Sequence, residues 1–217
     1  VGGRVLDARI GPPHKVLLKQ ADEQDADAIL IGVSERSSIE RLFLGSSAEK
    51  IVRSSQRPVF LRHPHDPDLS FQSILCAVDY SDHAVHTLNN ALALARGLDA
   101  TLHVLHVQAA PVYAAYADVP VLVLPTSDAA PPEAEQALNQ FIAKVDTTGV
   151  RIEPYVRAGP PCSEILAGTR EMKAGLLVMG KHQHSRVMDF LLGSVATDIL
   201  RDVPASMLVI GKRDLPL

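Results

Sequence analysis

The chain has 217 residues, room for one large domain or two modest ones. Hydrophobic residues make up 47% and charged residues 21%, the balance of a core-forming protein. A formal net charge of -4, only 4% aromatics and no tryptophan argue against a nucleic-acid surface. No stretch approaches the roughly 18 apolar residues that span a bilayer, and no signal-peptide pattern opens the chain. The two cysteines, Cys76 and Cys162, lie far apart without zinc-site spacing, so a reduced compartment, the cytoplasm, is expected.

In chain order, Val5 to Ile10, Ala28 to Ile31 and Val59 to Leu61 read as strands. Between them, Ser46-Ser47-Ala48-Glu49 has the capping-box pattern of a helix start. A polar, proline-punctuated stretch follows, His63-Pro64-His65-Asp66-Pro67-Asp68, and reads as a linker. Ser73 to Val78 is an apolar run suited to a buried strand, and Ser81 can cap the next helix. Ala84, Leu88, Ala91, Leu92 and Ala95 give that helix its apolar face, and Gly97 is expected to end it. Thr101 to Val107 is the next strand. After a proline-rich connection come a helix from about Glu133 to Lys144 and a strand from Val150 to Val156. Pro161 opens a helix at its favoured first position, and Leu176 to Met179 is a strand. A glycine-flanked loop leads to a helix from Ser194 to about Arg201, and Ser206 to Ile210 is the last strand.

Part of this pattern occurs twice. Gly11-Pro12-Pro13 recurs as Gly159-Pro160-Pro161, Gly32 as Gly180, and Leu44-Gly45-Ser46 as Leu192-Gly193-Ser194, always 148 positions apart. Ile51 and Arg53 match Ile199 and Arg201 at the same offset. We therefore divide the chain into a partial first copy (residues 1–63), a linker (64–72) and a complete second copy (73–217). Alternating strands and helices imply an α/β fold: a Rossmann-like, doubly wound parallel five-stranded sheet, duplicated in tandem. The first copy holds only the later half of the pattern. Its strands would leave bare edges, so preceding residues or another chain are expected to complete its sheet. The last strand is expected to pair with Val59 to Leu61 as a pseudo-twofold, or with a second chain.

Ile74-Leu75-Cys76-Ala77-Val78-Asp79-Tyr80-Ser81 resembles the opening strand of the universal stress protein family, and Leu102-His103-Val104-Leu105-His106-Val107 resembles its second strand. Gly180, Gln183 and Gly193-Ser194 fall on the family's phosphate-loop spacing, with Gln183 where the family has a glycine; Glu35 is the matching residue of the first copy. The resemblance covers nearly the whole chain. It implies an adenine-nucleotide site, for ATP or else AMP or ADP, in which Ala77, Val78 and Val107 flank the adenine. Asp79 would contact the ribose or phosphate region. Met179, Gly180, Gly193, Ser194 and Val195 would line the remainder, with Gln183 in an unassigned role.

The residues give a physical reason for such a site. Asp79, Val107 and Gly180 end strands, where open α/β sheets bind ligands. A helix beginning at Gly193-Ser194 offers free N–H groups and a positive dipole end. Lys181, His182, Gln183, His184 and Arg186 can donate to oxyanions. In the first copy Glu35 and Glu49 would repel phosphate, Glu49 folding back on its own helix terminus, whereas the matching Gln183 and Thr197 are neutral.

Structural alternatives stand beside these readings. Asp79 could simply cap the following turn, and the glycines could serve chain turning. His182 and His184 read as solvated loop residues, and His103 and His106 belong on opposite strand faces, so no metal site is expected. Cys76 reads as a core residue, while Cys162, near a helix start, could have a lowered pKa. Three functions compete: a nucleotide-binding stress or signalling module, a nucleotide-free interaction protein of the same fold, and a nucleotidyl-transfer enzyme. The enzyme would need a serine-glycine-glycine loop where this chain has Asp79-Tyr80-Ser81-Asp82, so no catalytic residue is assigned.

Overall fold

The computed structural model describes residues 9–35, 42–43, 46–62, 71–108, 132–181, 194–202 and 204–215. In the first copy these form α1 (Pro13–Glu23), β1 (Ile29–Gly32), β2 (Ser34–Glu35), β3 (Leu42–Phe43), α2 (Ser46–Ser54) and β4 (Val59–Arg62). The second copy contributes β5 (Ser73–Val78), α3 (Asp82–Leu98), β6 (Thr101–Gln108), α4 (Pro132–Ile142) and β7 (Arg151–Ala158). It continues with α5 (Pro161–Glu171), β8 (Leu176–Gly180), α6 (Ser194–Asp202) and β9 (Ser206–Ile210). Most of the expected strand Val5 to Ile10 and of the linker lies outside the described residues.

Seven strands form one sheet in the order β1-β4-β9-β8-β5-β6-β7, and β2 pairs with β3 separately. Every pairing in the large sheet is parallel except β4 with β9. The central strands β5 and β8 are near-continuous apolar runs because helices cover both of their faces. One face carries α1, α2, α5 and α6, whose Ile51, Val52, Ile165, Leu166, Ile199 and Leu200 join a core spanning both copies. The other face carries α3 and α4, packed on the second copy through Leu88, Leu92, Leu138 and Phe141. Each such leucine contributes roughly 2 kcal/mol by leaving water.

The Ser81 hydroxyl accepts the Ala84 N–H at 3.1 Å, so α3 starts where the sequence places its cap. Its end differs. The helix passes Gly97 to Leu98, and Asp99 takes the left-handed conformation (φ 51, ψ 43), its N–H donating to the Ala95 carbonyl. Aspartate tolerates that region, so glycine is not required.

The duplication extends to backbone detail. Helices α1 and α5, and α2 and α6, have matching bounds at the repeat offset. Asp25 (φ 45) and Lys173 (φ 48) leave α1 and α5 in the same way, and Gly11 (φ 146) and Gly159 (φ 150) precede them. The pairs Ile29↔Val59 and Leu177↔Met207 occupy equivalent register positions. At the junction the equivalent residues Phe60 and Leu208 face each other, so β4 and β9 meet about a pseudo-twofold axis. Among the described residues β1 has one strand partner, β4. Leu30 is 67% exposed, while Val178, its counterpart in β8, is fully buried. No helix of the described residues is long and apolar enough to cross a membrane.

Candidate functional site

Numbered within the second copy, the strands from β7 to β9 run 3-2-1-4-5, so the winding reverses between β5 and β8. Ligands of such sheets bind beyond the carboxyl ends at that reversal. Ala77 pairs with Met179 across it. Met179 belongs to the core on the α5–α6 side, and Ala77, Val107 and Val195 pack against that core. Val78 differs: its side chain is buried on the opposite face beneath α3, leaving only its backbone toward the strand end.

Asp79 Oδ1 accepts the Ser81 N–H at 3.1 Å and the Ser81 hydroxyl at 2.6 Å. Part of its role is therefore the structural one, closing the turn into α3. Between them Tyr80 adopts φ 62 and stacks on His106, with ring centroids 3.9 Å apart, while Phe141 packs at 5.4 Å. His106 Nδ1 lies 2.9 Å from the Val78 carbonyl; a carbonyl only accepts, so the proton sits on Nδ1. The sequence reading missed this stack. Its signal was an aromatic directly after Asp79 and a histidine in register with Val78.

Gly180 ends β8 with α3 pressed against it: a Cβ there would lie 2.4 Å from Thr87 Oγ1 and 2.9 Å from His83 Cδ2. Close helix–strand packing requires this glycine. Burial, with His86 nearby, holds the His83 imidazole below its ordinary range.

Lys181, expected as an oxyanion donor, directs its ammonium into the first copy. It is fully buried, and its ammonium donates to the Arg53 carbonyl at 3.4 Å and to that of Ser55, where α2 of the first copy ends. Helix C-terminal carbonyls lack intrahelical partners and attract a cation. Burial still lowers the ammonium from 10.5 to about 8.

Gln183 and Gly193, with His182, His184 and Arg186, lie outside the described residues. Ser194 opens α6, followed by Val195, and the first turn of α6 has no acidic residue. The matching first turn of α2 carries Glu49, which pairs with Arg53 at 2.9 Å rather than folding back as a capping box. The first copy's counterpart of the phosphate loop also contains the β2–β3 ladder, Ser34↔Phe43 and Glu35↔Leu42. Backbone groups paired in that ladder are not available to cradle an anion.

The remaining candidates separate. His103 Nδ1 stands 3.3 Å from Glu153 Oε2 on the face opposite His106, and burial lowers its pKa. Among the described residues no three His, Cys, Asp or Glu side chains gather as a metal-ligand set. Cys76 is core, its thiol pushed up to about 12 by burial. Cys162 moves opposite to the helix-start expectation: burial, then Asp198 and Asp202, raise its pKa. Desolvation and nearby carboxylates outweigh the helix terminus there.

Known proteins agree with this architecture. A family model described as the universal stress protein family matches residues 3–62 and 70–211. A curated relative in Staphylococcus aureus (strain USA300), whose name carries the words universal stress protein, is 29% identical over 150 residues. That match covers 68% of this chain and 89% of the relative. The crystal structure of a universal stress protein from Archaeoglobus fulgidus DSM 4304 superposes with a TM-score of 0.71 at 22% identity. It covers 93% of this chain and 67% of that one. A universal stress protein from Lactobacillus plantarum gives a TM-score of 0.51 at 22% identity, covering 66% of this chain and 99% of its own. With two family segments spanning nearly its whole length, this chain belongs to the universal stress protein family.

Proposed function

We propose that the chain is a nucleotide-binding stress or signalling module rather than an enzyme, with one adenine-nucleotide site per chain, in the second copy. ATP is the first candidate, with AMP or ADP as alternatives. The observation that carries this reading is the contrast between the helices α6 and α2. At the sheet's reversal point, α6 begins without an acidic residue in its first turn, and Met179 belongs to the core on the α5–α6 side, with Ala77, Val107 and Val195 packed against it. That combination suits a phosphate at the helix end and a base against these apolar residues. The equivalent helix of the first copy begins with Glu49 in its first turn, behind a loop closed by the β2–β3 ladder. The non-enzyme assignment rests on the sequence after β5, where the chain has Asp79-Tyr80-Ser81-Asp82 in place of the serine-glycine-glycine loop of a nucleotidyl-transfer enzyme.

A second reading is an interaction protein of the same fold that binds no nucleotide. Two features favour it: Gln183 replaces the family glycine, and the Lys181 ammonium serves the first copy. Calorimetric titration of the full chain with ATP, ADP and AMP separates the two. We expect saturable binding at one nucleotide per chain. A stoichiometry of two would overturn the assignment to the second copy, and no binding by any of the three would leave the interaction protein.

A further inference from the structure

The two ends of the candidate site both touch the first copy. At one end Lys181, directly after Gly180, sends its buried side chain to the Arg53 and Ser55 carbonyls. Its backbone N–H meanwhile donates to the Ile210 carbonyl at 3.2 Å, keeping the residue in line with the sheet. At the other end, α6 lies against β3.

The turn that receives Lys181 is itself firmly held. Ser55 Oγ donates to the Arg57 carbonyl at 2.9 Å and accepts the Arg57 N–H at 3.0 Å. The buried Arg57 guanidinium reaches Asp22 and Asp25 at 3.3 Å and the Ala26 carbonyl. The Gln56 carbonyl accepts the Lys212 and Arg213 N–H groups at 2.9 and 3.1 Å. The end of β8 is therefore tied to a turn whose own polar groups are partnered by α1, the segment after it and the segment after β9.

The arrangement has no mirror image. Val33 holds the position equivalent to Lys181, and its N–H makes the equivalent bond to the Arg62 carbonyl at 3.2 Å. Its apolar side chain cannot grip helix-end carbonyls, so the polar strap runs one way, from the candidate site into the first copy.

We propose that the first copy is an intramolecular regulator of the second copy's site. Lys181 acts as the positioning residue that couples the carboxyl end of β8 to the turn between α2 and β4. This inference rests on the nucleotide reading for its ligand, and on the strap alone for its mechanism. A nucleotide that fixes the β8 and α6 ends stiffens the Arg53–Arg57 turn, and by reciprocity the state of that turn alters nucleotide affinity.

Amide hydrogen exchange on the full chain tests it in two arms. Without ligand, Arg57→Gln loosens the turn without touching Lys181. The exchange rate of α6 (194–202) relative to β6 (101–108) is then expected to rise more than twofold. Global destabilisation would raise both rates and leave that ratio within twofold, which overturns the coupling whether or not any nucleotide binds. With saturating ATP, exchange at residues 51–57 is expected to slow more than twofold in the wild type and to lose that response in Lys181→Val. Protection of α6 by ATP with no change at 51–57, or an unaltered response in Lys181→Val, overturns the proposal. Absence of ATP protection anywhere defeats the nucleotide reading instead, and the first arm still decides the coupling.

Discussion

A buried ammonium with carbonyl partners is favoured by its hydrogen bonds and opposed by desolvation, and at Lys181 desolvation sets the titration. Its proton is lost near pH 8 in the folded chain and near 10.5 when exposed. Between those values the unfolded chain binds more protons, so this group makes stability rise with pH across that window; below pH 8 the full cost of burying the charge is present. We expect wild type to gain roughly 2 kcal/mol on Lys181→Met between about pH 7.5 and 10, read by urea unfolding of both proteins. An unchanged difference would mean that the amine stays hydrated. A lysine after Gly180 was legible in the sequence as an anion donor; its direction was not. Neighbours on the chain do not say that Ser55, 126 residues away, supplies the acceptor.

At the scale of elements, the packing of α3 on β8 explains Gly180 and separates it from its twin. Thr87 and His83 occupy the space that a side chain would need, whereas among the described residues nothing lies within 4 Å of a Cβ built on Gly32. Gly180→Ala is expected to destabilise by about 2 kcal/mol through overpacking, with Thr87→Ala in the same chain recovering at least half. Gly32→Ala should change stability by less than about 0.5 kcal/mol. Equal losses at the two glycines in thermal unfolding would refute the packing account. The elements themselves were legible because each carries its own signal: the apolar run of β5, the Ser81 cap, the proline at the start of α5. The end of α3 was not, since Asp99 could take a left-handed conformation that glycine was expected to supply.

For the whole molecule, the junction between copies joins the sheet into one body. Beside the β4–β9 pairing, Gly211 approaches so closely that a Cβ would lie 2.4 Å from the Gln56 carbonyl oxygen. That obstacle is backbone and cannot rotate aside. Gly211→Ala should therefore cost about 3 kcal/mol and speed amide exchange in α2 and β4 before it does so in β6 and β7. Uniform acceleration would place the strain outside the junction.

The sequence by itself determined the duplication, the order of strands and helices in the second copy and the family, because periodicity, caps and a constant repeat offset are written along the chain; it did not show α1 or the β2–β3 ladder. It also singled out the strand ends Asp79 and Gly180 and the start of α6. Tertiary structure alone decided that Phe60 meets Leu208 on the twofold, that Val78 turns beneath α3 and that Lys181 crosses to the first copy. Those outcomes depend on which surfaces exclude water together, a property of the assembled sheet and not of any local stretch.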